Sequence, residues 1–273
     1  MKKIKGPYSV LMTPFRDGKV DLQAYRKQIG RLNGTGISGY VVNGSTGEFV
    51  QMTLAEQTEL IFAVAEEKAK DKKTVVSACT GNLADTCELC RRAEEAGADA
   101  VLVCPPYYFT YTKEDRLRYF ERLADLSPVP VLLYNIPFFT QEIETDIVFR
   151  LFRHENVIGI KDSSANMKRL EHMAEMAKNT EISVLTGTDD ILFPALVGGC
   201  DGSMTAFATV FPEKICTLYW AVESGNYALA KEIQFSLLPL LRKAESETFP
   251  RGYKRLMEEV SGIPFRDKEV KRQ

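Results

Sequence analysis

The chain has 273 residues, 45% apolar and 26% charged, and its 35 Lys and Arg against 37 Asp and Glu leave a net charge of −2. That composition belongs to a folded globular chain and excludes disorder. The near-neutral balance speaks against a nucleic-acid binder, which draws on a basic excess. Uncharged stretches such as residues 191–200 fall well short of the roughly 20 apolar residues that a membrane-spanning helix needs.

The start, Met1-Lys2-Lys3-Ile4-Lys5, imitates the basic end of a signal peptide. Gly6, Pro7 and Pro14 interrupt the apolar run after it, and no small-residue cleavage site follows, so a leader is not expected. Cys79, Cys87, Cys90, Cys104, Cys200 and Cys216 sit mostly in apolar runs and read as reduced core residues of a cytoplasmic protein. Cys87 and Cys90 have CxxC spacing, but they lie in a helical pattern without a second pair. With only 2 histidines in the chain, no metal site is expected.

In chain order, strand-like and helix-like segments alternate. A strand over residues 8–12 precedes a helix over 21–32, and a strand over 39–43 precedes a helix opened by the capping box Thr53-Leu54-Ala55-Glu56 and running to about residue 70. A strand over 74–79 leads to a helix capped by Asn82 and stopped at Gly97. The strand over 100–104 is followed by a helix from Thr112 to about residue 126, ended near Pro128. The second half continues with strands over 129–135, 157–161, 182–186 and 202–205, and helices over 145–153, 166–178 and 189–197. The strand runs are continuously apolar, as expected for a parallel sheet covered on both faces.

Eight such units within residues 1–211 predict an α/β fold, a (β/α)8 TIM barrel. No G-x-G-x-x-G follows the first strand and no P-loop motif occurs, which disfavours a nucleotide fold. Residues 212–273 read as a C-terminal helical extension with helices over 212–224, 227–244 and 249–260. It is expected to pack on the barrel or on a partner subunit, within the same domain unit.

In such barrels the chemistry collects at the C-terminal strand ends. Lys161 closes the apolar run Val157-Ile158-Gly159-Ile160, where burial penalises an ammonium and frees a neutral amine to attack carbonyls. The plainer alternative is a lysine that reaches solvent or pairs with a carboxylate. Strand alternation turns Asp162 toward the helices, as a structural group, and returns Ser163 to the face of Lys161. Gly44-Ser45-Thr46-Gly47 follows the second strand, and its two glycines allow a nest of amides fit for a carboxylate. Glu48, in a turn before a helix, is expected to bind backbone groups rather than act as a base. Tyr134 ends the fifth strand and is either a proton carrier or a packing residue with a satisfied hydroxyl. His154 and His172 lie on helical stretches and read as surface residues.

Three of these segments, G-S-T-G-E at 44–48, Y-N-I-P at 134–137 and G-I-K-D at 159–162, resemble the dihydrodipicolinate synthase/N-acetylneuraminate lyase superfamily. The resemblance runs from Val10-Leu11-Met12-Thr13-Pro14-Phe15 to about Pro212. It implies a class I aldolase or lyase that holds pyruvate or another 2-oxo acid as a Schiff base and needs no metal or organic cofactor. By the same resemblance Lys161 forms the imine, Thr46 holds the pyruvyl carboxylate and Tyr134 moves protons. Ser45 relays to Tyr134, and Tyr108 is lent to the site of a neighbouring subunit in a homotetramer, a dimer of dimers.

Dihydrodipicolinate synthases usually carry an arginine two residues beyond the proline of Y-N-x-P, and here that residue is Phe139. Gly187-Thr188-Asp189-Asp190 looks more like the turn with which sialic acid lyases and 2-keto-3-deoxy sugar acid aldolases bind substrate hydroxyls. Thr46, Ser163, Gly187, Asp189, Asp190 and Met204 are the expected substrate-binding set. Ala206 stands roughly where sialic acid lyases have a serine, and Phe138 with Phe139 makes one wall apolar. The expected activity is pyruvate-dependent cleavage or formation of a 2-keto-3-deoxy sugar acid or similar 2-oxo-4-hydroxy acid, with pyruvate and an aldehyde as the partners. Alternatives are N-acetylneuraminate lyase, a divergent dihydrodipicolinate synthase, and a non-enzymatic barrel that only binds a 2-oxo acid.

Overall fold

Val-, Ile- and Leu-rich runs with no room for a polar face have to be covered on both sides, and here helices cover them outside while their own side chains fill the inside. The computed structural model describes residues 3–268; Met1, Lys2 and the end of the C-terminal extension at 269–273 lie outside the described residues. The strands are β1 (Gly6–Val10), β2 (Gly39–Val42), β3 (Lys73–Ser77), β4 (Ala100–Val103), β5 (Val131–Asn135), β6 (Val157–Asp162), β7 (Ser183–Thr186) and β8 (Gly202–Thr205). All pair in parallel with their sequence neighbours, and β8 closes on β1 with Gly6 opposite Gly202. The fold is thus a TIM barrel with C-terminal helices, as the alternation predicts.

One irregularity decides the site. Between β5 and β6 the register shifts after Val131, so that Val131 faces Val157 but Leu132 faces Gly159. The extra residue is Ile158, a β-bulge that advances the rest of β6 by one position. Gly159 absorbs the kink with φ of 153°, and a Cβ there would meet the Ser183 carbonyl oxygen at 2.1 Å. Beyond the bulge Tyr134 lies opposite Lys161 and Asn135 opposite Asp162. Paired residues of parallel strands share a face, so the bulge puts phenol and amine together inside the barrel and sends Asn135 and Asp162 out together.

The helices between strands are α1 (Leu22–Asn33), α2 (Leu54–Glu67), α3 (Leu83–Glu95), α4 (Lys113–Leu126), α5 (Thr145–Leu151), α6 (Met167–Ala177) and α7 (Leu192–Val197). Asp21, Thr53, Asn82, Thr112 and Asn166 cap their first turns, and Thr53 with Glu56 completes the expected capping box. The α7 helix starts later than the expected residue 189. The carbonyls of Asp189 and Asp190 accept the Gln234 side-chain amide at 2.9 and 3.2 Å, which leaves both residues in an open turn. A small hairpin, Phe15–Arg16 with Lys19–Val20, turns through Asp17 and Gly18 at positive φ and was not expected, although Asp-Gly is a turn signal.

After β8 the chain forms α8 (Phe207–Val210), α9 (Pro212–Glu223), α10 (Tyr227–Glu245) and α11 (Arg251–Ser261). These pack on the barrel of their own chain: Phe207, Leu218, Leu237, Leu241 and Met257 share a second apolar core with Met12 and Leu192. The tail then returns across the barrel mouth, where the Phe15 amide donates to the Arg266 carbonyl at 3.3 Å. Among the described residues no helix is long and apolar enough to cross a membrane.

Candidate active site

At the C-terminal end of β6, Lys161 is 3% exposed. Its Nζ donates to Tyr134 Oη at 3.3 Å and sits 4.3 Å from that ring's centroid. Among the described residues no carboxylate lies within ion-pair distance of it, so the ammonium is buried against a phenol and an aromatic face alone. Burial pulls its pKa from 10.5 down to about 8, against smaller opposing pulls from Cys79 and Asp189. The alternatives of a solvent-reaching or carboxylate-paired lysine do not describe this side chain.

Tyr134 is likewise buried, and burial pushes its phenol above the ordinary tyrosine range, partly offset by the Ser45 hydroxyl. Ser45 Oγ lies 3.3 Å from Tyr134 Oη, so the three groups form a chain of serine, tyrosine and lysine. The adjacent Asp162 does point outward. Its carboxylate accepts from Arg169 Nε at 2.7 Å and Asn135 Nδ2 at 2.8 Å, and it holds Ser164 N at 2.9 Å. Ser163 is back on the cavity side, its amide anchored to the Asn135 carbonyl at 2.8 Å and its Oγ without a hydrogen bond of ordinary geometry.

The loop after β2 differs from the nest that its glycines suggest. Ser45–Gly47 forms a turn of 3₁₀ helix in which Gly47 N–H and Glu48 N–H already donate to the carbonyls of Gly44 and Ser45, at 2.9 and 3.0 Å. The positive φ values fall at Asn43 and Glu48, both 59°, rather than at the glycines. Gly47 is there for close approach, since a Cβ would come within 2.9 Å of the Leu11 carbonyl oxygen. The amides of Ser45 and Thr46 and the Thr46 hydroxyl are what the loop can turn toward an anion. Glu48 also departs from expectation. Its carboxylate pairs with Lys254 of α11, and it accepts from Gln51 Nε2 at 2.8 Å.

Outward from Lys161 opens a cavity of about 550 Å³. Ser45, Thr46, Tyr134, Lys161, Ser163, Gly187, Asp189 and Asp190 all line it, so most of the expected set converges there. Gly187 is a steric requirement: a Cβ would meet Ser163 Oγ at 2.0 Å and Lys161 Cε at 2.7 Å. Asp189 is 9% exposed; its Oδ2 accepts the Phe207 amide at 3.3 Å, while its Oδ1 has no hydrogen-bond partner. Burial raises its carboxyl to about 7; the nearby Thr205 hydroxyl draws it down without a bond of ordinary geometry. Ala206, Phe138 and Phe139 line the same cavity.

Two expected residues lie elsewhere. Met204 is wholly buried within β8 and does not reach the cavity surface, because its side chain belongs to the barrel core. Tyr108 is 92% exposed, with φ of 83° and its ring edge-on to Phe109 at 5.1 Å, outside the cavity of its own chain. The histidines are peripheral: His154 faces Asp125 at 3.1 Å, and His172 meets the Phe149 ring. Glu245 at the end of α10, Glu247 and Phe249 in the turn after it, and Tyr253 of α11 complete the cavity wall and were not anticipated. Nothing local in the sequence marks them, since only the packing of α10 and α11 over the barrel brings them there. Among the described residues no cluster of three His, Cys, Asp or Glu side chains is placed to hold a metal ion.

A parallel barrel with a desolvated lysine at the end of its sixth strand defines a class of protein, one equipped to attack a carbonyl and move a proton beside it. Comparison with known proteins agrees. The pattern of the dihydrodipicolinate synthetase family matches residues 3–268, and the chain belongs to that family, an enzyme family of lyases and synthases of the class I aldolase type. The chain is 35% identical over 261 residues to a 4-hydroxy-tetrahydrodipicolinate synthase of Nitratiruptor sp., covering 94% of this chain and 88% of the relative. Among solved structures it resembles a prophage protein of the dihydrodipicolinic acid synthase family from E. coli K12, crystallised with pyruvate. That likeness has a TM-score of 0.89 and 29% identity, over 98% of this chain and 91% of that one. It also resembles a 2-keto 3-deoxygluconate aldolase from Picrophilus torridus, with a TM-score of 0.90 and 26% identity over 98% of both chains.

Proposed function

We propose that this chain is a pyruvate-dependent Schiff-base aldolase that cleaves or forms a 2-keto-3-deoxy sugar acid or similar 2-oxo-4-hydroxy acid. The observation that carries the reading is Lys161, buried without a carboxylate partner among the described residues and bonded to Tyr134 at 3.3 Å. Its lowered pKa gives a usable fraction of neutral amine near neutral pH.

In the cleavage direction the neutral Lys161 amine attacks C2 of the oxo acid, and the Tyr134 hydroxyl protonates the departing hydroxide, so that water leaves and a protonated imine faces the Tyr134 phenolate. Tyr134, coupled to Ser45, takes the C4 hydroxyl proton as the C3–C4 bond breaks. The bonding pair flows into the iminium to give an enamine, and the aldehyde departs. Protonation at C3 and hydrolysis return pyruvate and the free lysine. Condensation runs the same steps backward. The raised pKa of Tyr134 suits a phenol that is protonated at rest, gives its proton to the departing hydroxide and recovers one from the C4 hydroxyl, with Ser45 Oγ in contact at 3.3 Å. Thr46, with the amides of residues 45 and 46, is the carboxylate holder in this reading.

The Tyr108 ring stands in solvent, which supports its insertion into a neighbour's site within a homotetramer. Incubation with pyruvate and borohydride, then intact mass measurement, tests the reading. A reduced pyruvyl adduct on the wild type and none on Lys161→Ala is expected. Equal adduct on both proteins, or none on either, removes the mechanism.

A second reading, 4-hydroxy-tetrahydrodipicolinate synthase activity, is favoured by the names of the curated relatives. Against it stands Phe139 on the cavity wall, which offers a co-substrate carboxylate no bidentate partner. Condensation of pyruvate with aspartate semialdehyde at a rate matching the best sugar aldehyde would decide for that reading.

A further inference from the structure

The cavity is asymmetric in charge. At its floor stands Lys161, its one lining cation among the described residues. Its wall also carries Asp189, within electrostatic reach of Lys161, together with Asp190, Glu245 and Glu247. Glu247 is neutralised by Arg255 at 2.9 Å. The other three have no cationic partner among the described residues, and Glu245 meets only the Tyr253 hydroxyl, at 3.5 Å.

Once pyruvate is bound, the iminium charge at Lys161 is balanced by the pyruvyl carboxylate, so the acidic wall keeps a negative excess, to which Asp189, with its carboxyl raised to about 7, adds about half a charge near neutral pH. Burial together with mutual repulsion pushes the Glu245 carboxyl upward, with Asp190 contributing, and Asp190 acts on Asp189 in the same sense. Asp189 supplies an independent indication of a missing group. It is more than nine-tenths buried, lines the cavity and has an oxygen with no hydrogen-bond donor. A buried acceptor without a donor costs about 1–3 kcal/mol, and an incoming donor removes that cost.

The remaining wall is aromatic. Phe139 packs on Phe249 at 5.5 Å between ring centroids, and Phe249 on Tyr253 at 5.8 Å. Ring faces attract cations, and apolar walls strengthen any charge interaction beside them by excluding water. Carboxylates and aromatic faces together, with no cation to spare, make a receptor for positive charge.

We propose that the aldehyde partner carries an ammonium group and no carboxylate, recognised by Asp189, Asp190 and Glu245 against the Phe139–Phe249 wall. This inference rests on the Schiff-base reading above and refines its second substrate. The product is then a 4-hydroxy-2-oxo acid with an amino group on the carbons that came from the aldehyde. An aldehyde bearing a carboxylate meets the like charges of Asp190 and Glu245 and the partly ionised Asp189, and a polyhydroxy aldehyde satisfies the acceptors without compensating their charge.

The test uses the full-length protein, pyruvate and three aldehydes of one length: 3-aminopropanal, 3-hydroxypropanal and 3-oxopropanoate. Borohydride trapping with pyruvate alone comes first, so that failure of the imine is seen separately from failure of this inference. With the imine established, kcat/KM for condensation is expected to fall about tenfold from amine to alcohol and about tenfold again to carboxylate, the size of one partly screened charge contact per step. Salt at 0.5 M should compress the ranking. In Asp190→Asn and Glu245→Gln proteins the amine-to-carboxylate ratio should drop at least fivefold; being a ratio, it does not move with a general loss of active protein. Equal rates, the alcohol or the carboxylate ranking first, an unchanged ratio in both variants, or no condensation with any of the three would each overturn the inference.

Discussion

Two lysines in this molecule are buried to nearly the same degree, Lys161 at 3% exposure and Lys254 at 1%; both sit over an aromatic ring, and they differ in whether a carboxylate meets them. Lys254, on α11, is held by the Glu48 carboxylate and donates to the Arg266 carbonyl at 2.8 Å. Lys161, at the end of β6, has a phenol hydroxyl and a ring face. A paired buried ammonium ties elements together, here the loop that carries Ser45 and Thr46 to the C-terminal helices. An unpaired one is held at an energetic disadvantage as a cation and is correspondingly ready to be neutral. Burial alone therefore does not mark a lysine for chemistry; the missing partner does.

The largest effect should come from the unpaired lysine. Lys161→Ala is expected to lower aldolase turnover by about 10³-fold or more, because no neighbouring amine can form the imine. Steady-state assays with pyruvate production as the readout would expose any residual activity, and near-wild-type turnover would erase the contrast drawn above. For the paired lysine the expected loss is in stability. Lys254→Met leaves the Glu48 carboxylate buried without its cation, at a cost of about 3–5 kcal/mol in denaturant unfolding. The double variant Glu48→Gln/Lys254→Met should regain most of that loss, and a double variant as unstable as the single one would argue against charge as the cause.

Gly187→Ala sharpens the same contrast from the side of packing. Its methyl has to displace the Lys161 side chain or Ser163, and a shift of that size should lower kcat about 10²-fold while far-ultraviolet dichroism stays unchanged. In Lys161→Met the buried ammonium is gone. A lysine pKa lowered from 10.5 to about 8 corresponds to a penalty of about 3 kcal/mol at most, so a gain of about 1–3 kcal/mol is expected at pH 7.

The sign of the pH dependence follows from linkage. The penalty on the wild type is fully present below about pH 8 and disappears as pH rises toward 10.5, because the unfolded chain holds the proton longer there. The advantage of Lys161→Met should therefore shrink over that window, and a constant advantage would mean that packing is responsible. The smallest effect is kinetic. The initial rate of borohydride-trapped adduct should rise roughly tenfold per pH unit below about pH 8 and level off above it.

Much of the fold was legible because the period of the chain is long and regular. Eight apolar runs separated by capped helices leave little choice once each strand needs cover on both faces. Lys161, Tyr134 and Ser45 could be read because each stands at the end of a strand or in the loop just after one, within a recognisable motif. Met204 faces the barrel interior as Lys161 does, but it is wholly buried in the packed core rather than on the cavity surface, a matter of packing that strand alternation does not reveal. Glu48 was assigned to backbone groups because its true partner lies 206 residues away. No sequence window contains both.

The sequence by itself determined the barrel, the order of its strands and the presence of a lysine among apolar residues, since hydrophobic period and capping chemistry act over a few neighbouring residues. Only the tertiary structure decided that this lysine faces Tyr134. A single extra residue, Ile158, advances the β6 register, and the phenol and amine meet because of it. Tertiary packing also decided the charge and the aromatic wall of the cavity, because Glu245, Phe249 and Tyr253 arrive from α10, α11 and the turn between them. Register and long-range packing depend on how distant segments fit against each other, and that fit is a property of the folded volume rather than of any stretch of chain.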